Sequence, residues 1–223
     1  MGVLDEGPNR AGYTKAQLLK EGIDINVRKA VFVGLYHTHK FDKCGEVDRL
    51  KTRCALKGHK GNMQRGIHYG ETFTPTPKED TARLLIALMC LYNLFRMTGD
   101  IVKAYCWAPM PPGALIAIRY PPGLKKFDSI TGEELYMIMR KNLYGHPAAG
   151  RSWGKLRDSH SEILKYFNQE GWTCTQCESD PCLFYFLRDG AWALMSIHTD
   201  DMDAVGTTND ILEGIFNKVH EIW

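Results

Sequence analysis

What the sequence lacks narrows what it can be. No hydrophobic run is long enough to cross a bilayer: the longest, Leu84 to Leu94, is too short and is followed by Arg96. No charge of one sign dominates. The formal net charge is +2, which neither demands nor excludes an anionic partner. No secretory signal opens the chain, and its seven cysteines, an odd number spread unevenly, suit a reducing, intracellular compartment better than a disulfide framework. "MGVLDE" lacks the small hydroxyl residue that a myristoylation signal carries at position 6. There is no low-complexity tract, no internal repeat and no glycine loop of the kind that cradles phosphate. What is there is 223 residues of ordinary composition, 44% hydrophobic, enough for one large domain or two small ones with packed cores.

Residues 1–28 are polar and weakly patterned, and read as a loose N-terminal arm or one short helix. "KAVFVGLYHTHK" (29–40) has the β-branched and aromatic content of a strand. The basic "RLKTRCALKGHK" (49–60), carrying Lys51, Arg53, Lys57, His59 and Lys60, reads as its return in a hairpin. "KEDTARLLIALMCLYNLF" (78–95) has apolar residues at helical spacing, with Asp80 or Thr81 as N-cap. "FRMTGDIVKAYCW" (95–107) is short and β-like, and "ALIAIRYPPGL" and "ELYMIMRKNLYG" are two further strands. "PAAGRSWGKLRDSHSEILKYFNQEG" (147–171) reads as one helix, opened by Pro147 and ended by Gly171. "CLFYFLRDGAWALMSIHTDDMDAVG" (182–206) reads as a strand, an Asp-Gly turn and a long strand leading to a double Asp. The final "NDILEGIFNKVHEIW" (209–223) is an amphipathic helix capped by Asn209 or Asp210. Strands and helices mix without strict βαβ alternation, so the expected class is α+β.

The chemistry concentrates in "SIHTDDMDAVG" (196–206). Asp200 and Asp201 are adjacent, with Asp203 just beyond. Alone, this is an ordinary turn, because Asp hydrogen-bonds its local backbone. A divalent cation would need a further carboxylate, since hard ions are held by two or more of them. Asp100, between apolar neighbours in the other short β-like segment, supplies one. Two such segments side by side in a sheet would bring Asp100 and Asp200 together. Three clustered carboxylates repel one another without cations; around two Mg²⁺ ions about 4 Å apart they become a site for in-line attack on a phosphate. "CTQC" (174–177) with Cys182 offers three thiols but no fourth zinc ligand nearby in sequence.

Seven short motifs, collinear over residues 29–223, resemble the reverse transcriptase domain of copia-type retrotransposons. "KTRCALKG" (51–58) matches the family's K-A-R-L-V-A-K-G, and "GIHYGETFTP" (66–75) looks like G-I-D-Y-x-E-T-F-x-P. "RLLIAL" (83–88) matches R-x-L-L-A-L, and "DIVKAY" (100–105) resembles D-V-K-x-A-F. "NLYGHPAAGRSW" (142–153) is similar to S-L-Y-G-L-K-Q-A-P-R-x-W, "SDPCLF" (179–184) is identical to the family's segment, and "HTDD" (198–201) stands for Y-V-D-D.

The resemblance implies a polymerase right hand. Fingers would occupy about 29–95 and 109–146, palm about 96–108 and 147–223, and 1–28 would be the N-terminal arm. It implies an RNA-directed DNA polymerase using two Mg²⁺ ions, with Mn²⁺ as a substitute. Asp100 and Asp200 would hold both metals, Asp201 would assist, and the Ile101 carbonyl would add a ligand. Tyr105 would exclude ribose in favour of dNTP, Lys51 and Arg53 would clamp the triphosphate, and Gly145 would shape the floor beneath nucleotide and template. Partners would be a primed RNA or DNA template, dNTP and other polyprotein domains or a larger assembly.

Against the family, His198 and Thr199 replace the common Tyr and Val, the Q-A-P triplet has become A-A-G, and the lysine of "DIVKAY" sits one place later. Thr199, β-branched, is expected to suit a strand. Trp153 is expected in the core, on the helix face of Leu156. No thumb is found in the chain, so it is expected to grip primer–template poorly alone. Two alternatives follow: a non-catalytic, degenerate or domesticated subunit that keeps the fold as a scaffold, and a nucleic-acid binding module using the basic 49–60 hairpin.

Overall fold

Two five-stranded sheets, each with its own helices, carry the chain. The computed structural model describes residues 2–7, 10–59, 62–111, 113–158 and 162–223. In order they form β1 (Leu4–Asp5), α1 (Lys15–Lys20), β2 (Val31–Phe41), β3 (Val47–Leu56), α2 (Glu79–Tyr92), β4 (Phe95–Asp100), α3 (Ala104–Trp107), β5 (Ile116–Arg119) and β6 (Tyr136–Met139). Then come α4 (Ala149–Asp158), α5 (Glu162–Gln169), β7 (Thr173–Gln176), β8 (Leu183–Arg188), β9 (Ala191–His198), β10 (Asp201–Gly206) and α6 (Asn209–Ile222). The class is α+β. The chain divides into two compact units, residues 1–72 with 108–152 and residues 73–107 with 153–223.

In the first unit the strand order is β1-β6-β5-β2-β3, with β2 and β5 parallel and the other pairs antiparallel. The described residues of 1–28 are built into this unit rather than forming a loose arm. Strand β1 pairs with β6, and Leu18 and Ile23 pack on Ala117, Tyr136 and Ile138. Asp5 accepts from Tyr13 Oη at 2.8 Å and from Arg140 Nε at 2.6 Å, and Arg140 also reaches Glu21. The pattern looks weak in sequence because few side chains turn inward and charge pairs hold the rest. The predicted hairpin is present as β2–β3. Lys40, Arg49, Lys51 and Arg53 share one exposed face, because Lys40 pairs with Arg49, Thr38 with Lys51 and Tyr36 with Arg53. Lys60 lies outside the described residues.

In the second unit the order is β4-β10-β9-β8-β7, antiparallel throughout. Leu183, Leu194 and Val205 face Leu85 and Met89 of α2. Pleating turns Phe184, Phe186, Met195 and Ala204 to the other side, where Phe167 of α5 meets Phe186 edge-on at 4.9 Å. There Ile211, Leu212, Ile215 and Val219 of α6 are also buried.

Several boundaries differ from expectation, each for a physical reason. Helix α2 is capped neither by Asp80 nor by Thr81 as N-cap. Its N-cap is Lys78, which makes no side-chain cap bond. Instead the buried Asp180, from the "SDPCLF" segment, accepts from the Lys78 N–H at 3.0 Å and from the Thr81 hydroxyl. The same helix stops at Tyr92, because Asn93 takes the left-handed conformation and frees Phe95 to start β4. Although the resemblance groups α2 with the fingers, it clusters with the unit that carries the acids. The β-like reading of 95–107 holds only as far as Asp100. The chain then turns through Val102 and Lys103, at φ 58°, into the single turn α3. Within the helix expected over 147–171, α4 and α5 are helical on either side of residues 159–161, which lie outside the described residues. Thr208, rather than Asn209 or Asp210, caps α6. Strand β7 was not anticipated.

Candidate active site

The two acid-bearing segments lie side by side. Asp201, first residue of β10, pairs with Asp100 at the end of β4 and with His198 at the end of β9. Carboxylate oxygens of Asp100, Asp200 and Asp201 come within 4.8 Å of one another, the only such cluster of potential metal ligands among the described residues. Burial pushes the Asp200 carboxyl above its ordinary range. The neighbouring charges of Asp100 and Asp201 push the same way, against a backbone hydrogen bond and His198. A set of hard oxygens whose charges repel fits Mg²⁺ or Mn²⁺ better than any softer ion. Asp203, the third acid of the sequence stretch, is not in the cluster. It takes a two-pronged hydrogen bond from Arg96, at 2.8 and 2.9 Å. A cavity of about 530 Å³ opens on this side of the sheet, bordered by Asp100, Asp201, His198, Arg96 and Lys78.

The double Asp sits on a tight two-residue turn. Thr199 does not suit a strand here as expected: it has φ 60°. A β-branched residue at positive φ is an outlier, and such strain costs about 1–3 kcal/mol. Glycine is the usual residue where only the first central position has positive φ. Three hydrogen bonds hold carbonyls in and just before the turn. Ile101 N–H donates to Asp200 O at 2.7 Å, Trp153 Nε1 to Thr199 O at 2.7 Å, and Arg157 Nη1 to Ile197 O at 3.1 Å. Trp153 is 1% and Arg157 2% exposed. Trp153 is thus a core residue, as its helix face suggests, with a polar edge turned to the turn. Arg157 was missed by the sequence reading. The available signal was its position four residues after Trp153, on the same helix face.

The other candidate residues are distributed as follows. Ile101 is buried next to the acids. Tyr105 stands on α3, partly buried, and not on a strand. Lys51 and Arg53 are exposed on β3 of the first unit. Gly145, also in the first unit, has φ 82°, and a Cβ there would lie 2.1 Å from Leu56 O. Gly58 is as constrained: its Cβ would lie 1.8 Å from Gly145 O. These two glycines let the chain after Tyr144 close on the base of the β2–β3 hairpin, where Leu56 N–H donates to Tyr144 O at 2.7 Å.

The fold and the acid cluster define a class: an α+β protein whose central hairpin presents carboxylates suited to a hard divalent cation. The family described as reverse transcriptase (RNA-dependent DNA polymerase) matches residues 24–221, and the chain belongs to it. It is similar to the retrovirus-related Pol polyprotein from transposon RE1 of Arabidopsis thaliana, 24% identical over 82% of this chain and 12% of that protein. It is also similar to the retrovirus-related Pol polyprotein from transposon TNT 1-94 of Nicotiana tabacum, 25% identical over 74% of this chain and 11% of that protein. The chain therefore spans about one-eighth of the length of the curated relatives it matches.

Proposed function

We propose that the chain is the fingers and palm of an RNA-directed DNA polymerase that adds dNTP to a primer 3′-hydroxyl. The observation that carries this reading is the convergence of Asp100, Asp200 and Asp201 on a strained hairpin turn, in a chain of the reverse transcriptase family. The palm would be the unit of residues 73–107 and 153–223, and the fingers the other unit. Asp100 and Asp200 hold two divalent cations, Asp201 assists and the Ile101 carbonyl completes the set. The chemistry that two bound Mg²⁺ ions supply is a lowered pKa at the primer hydroxyl and neutralised charge on the triphosphate. The Tyr105 ring excludes a ribose 2′-hydroxyl. Arg53 and Lys51 hold the triphosphate, Arg53 through its planar fork. Gly145, by letting the chain close on the hairpin base, shapes the floor beneath nucleotide and template. The partners are a primed RNA or DNA template, dNTP and, by likeness to polyproteins of which this chain spans a small part, further domains that grip the duplex.

The test is extension of an oligo(dT) primer on an RNA template with dTTP and Mg²⁺ or Mn²⁺, comparing the chain with Asp200→Asn. Extension that the substitution abolishes supports the polymerase. If neither metal gives extension, even in a longer chain carrying the following domains, the scaffold reading replaces it. A Mg²⁺ titration separates the two readings again, because a working site is stabilised by its ion.

A further inference from the structure

The turn that carries Asp200 is strained where the sequence could have used glycine. Thr199 holds φ 60°, and the conformation persists only if its surroundings impose it. Two side chains of α4, four residues apart and so on one helix face, reach this hairpin. Trp153 donates its indole N–H to the carbonyl of Thr199 itself. Arg157 donates to the Ile197 carbonyl two residues earlier, and is anchored by Asp158 at 2.7 Å and by contact with Cys182 Sγ at 3.6 Å. The indole is fixed from behind by Trp223, edge to face at 5.0 Å. On the far side of the turn, Ile101 N–H holds the Asp200 carbonyl. A buried indole N–H usually finds an acceptor, and here the acceptor is the strained residue's own carbonyl.

We propose that Trp153 is a positioning residue. With Arg157 holding the Ile197 carbonyl one turn along α4, it clamps the Thr199–Asp200 turn in the conformation that keeps the Asp200 carboxylate within the acid cluster. Thr199 makes the chain depend on that clamp. Without the indole N–H the turn relaxes to a type in which Thr199 has negative φ, and Asp200 leaves its place. The metal-binding part rests on the reading that the cluster holds a divalent cation; the clamp itself does not.

Three variants test it: Trp153→Phe, which keeps an aromatic ring but removes the N–H; Thr199→Gly, which removes the strain; and the double variant. The first readout is metal-free hydrogen exchange of the Ile101 amide, whose acceptor is the Asp200 carbonyl. Trp153→Phe is expected to speed it at least about tenfold while amides in α6 keep their protection, and Thr199→Gly in the same chain to restore it. The second is Mn²⁺ affinity by calorimetry, expected to fall about tenfold in Trp153→Phe and to recover in the double variant. Unchanged Ile101 exchange in Trp153→Phe overturns the clamp, with or without metal. Faster exchange that Thr199→Gly fails to restore also overturns it, since Trp153 is then only packing. If the unsubstituted chain binds no Mn²⁺ but the exchange pattern is as expected, the clamp stands and the metal reading fails.

Discussion

Two of the chain's hairpins are of opposite character. The β2–β3 ribbon, 11 and 10 residues long, is exposed over most of its length and is tied down near its base, where Leu56 bonds Tyr144 and Val31 and Phe32 pair with β5. The β9–β10 hairpin, 8 and 6 residues long, is buried on both sheet faces and gripped at three carbonyls around its turn. The first displays cations and the second displays acids. The difference follows from what each charge must do. Carboxylates that repel one another must be held within a few ångströms before any cation arrives, so their backbone needs outside support. Cations on an exposed ribbon need no such support, because the ribbon loses little by carrying them.

The sharpest break of this contrast is in activity. Asp200→Asn is expected to abolish primer extension, by at least about 10³-fold, because removing a charged metal ligand removes transition-state stabilisation. Arg53→Ala on the ribbon is expected to raise the KM for dNTP about tenfold and leave the fold intact. Steady-state kinetics reads both.

Stability should split the same way. Phe186→Ala, beneath the acid-bearing sheet and fully buried, is expected to cost about 3–5 kcal/mol in urea unfolding. Leu50→Ala, at 71% exposure on the ribbon, is expected to stay within about 0.5 kcal/mol. Between them lies Asp180→Ala, which strips three hydrogen bonds from Lys78, Thr81 and Cys182 and is expected to cost about 1–3 kcal/mol. Burial alone would raise the Asp180 carboxyl, but those hydrogen bonds outweigh it and hold the pKa below the usual range. Its contribution is therefore present at neutral pH and is lost as pH falls through the lowered value.

The smallest effect has the opposite sign. Because the Asp200 pKa is raised, its ionised form costs stability above that value, and the cost fades as pH falls toward the ordinary carboxylate range. Metal-free Asp200→Asn should thus melt higher than the unsubstituted chain at pH 7, with the gain shrinking in acid. Thermal unfolding at pH 7 and pH 4 checks it.

These contrasts also mark what the sequence could disclose. The paired acid segments, the basic ribbon and helix α6 were readable because each is local: alternation, a charge pattern or a 3.6-residue stripe. The cap of α2 was not, since Asp180 lies far along the chain and local rules favoured Asp80 and Thr81. Thr199 was misjudged because β-branched residues prefer extended backbone, and only Trp153 and Arg157, brought by another helix, make its conformation tolerable. Tyr105 was placed on a strand because nothing in "DIVKAY" announces the left-handed Lys103 that turns the chain into α3. Residues 1–28 looked loose because part of their hold is a part-buried Tyr13–Asp5–Arg140 network rather than an apolar stripe.

The same remote cap has a consequence for synthesis. Lys78 and the carboxylate that completes its helix are separated by 102 residues. At about 5–20 residues per second, a ribosome delivers the cap roughly 5–20 s after the helix has been made. Throughout that interval α2 leaves the exit tunnel with an unfinished first turn and with Leu85 and Met89 still lacking Leu183, Leu194 and Val205 to pack against. Nascent chains stalled before and after Asp180 should therefore differ sharply in protease resistance at α2.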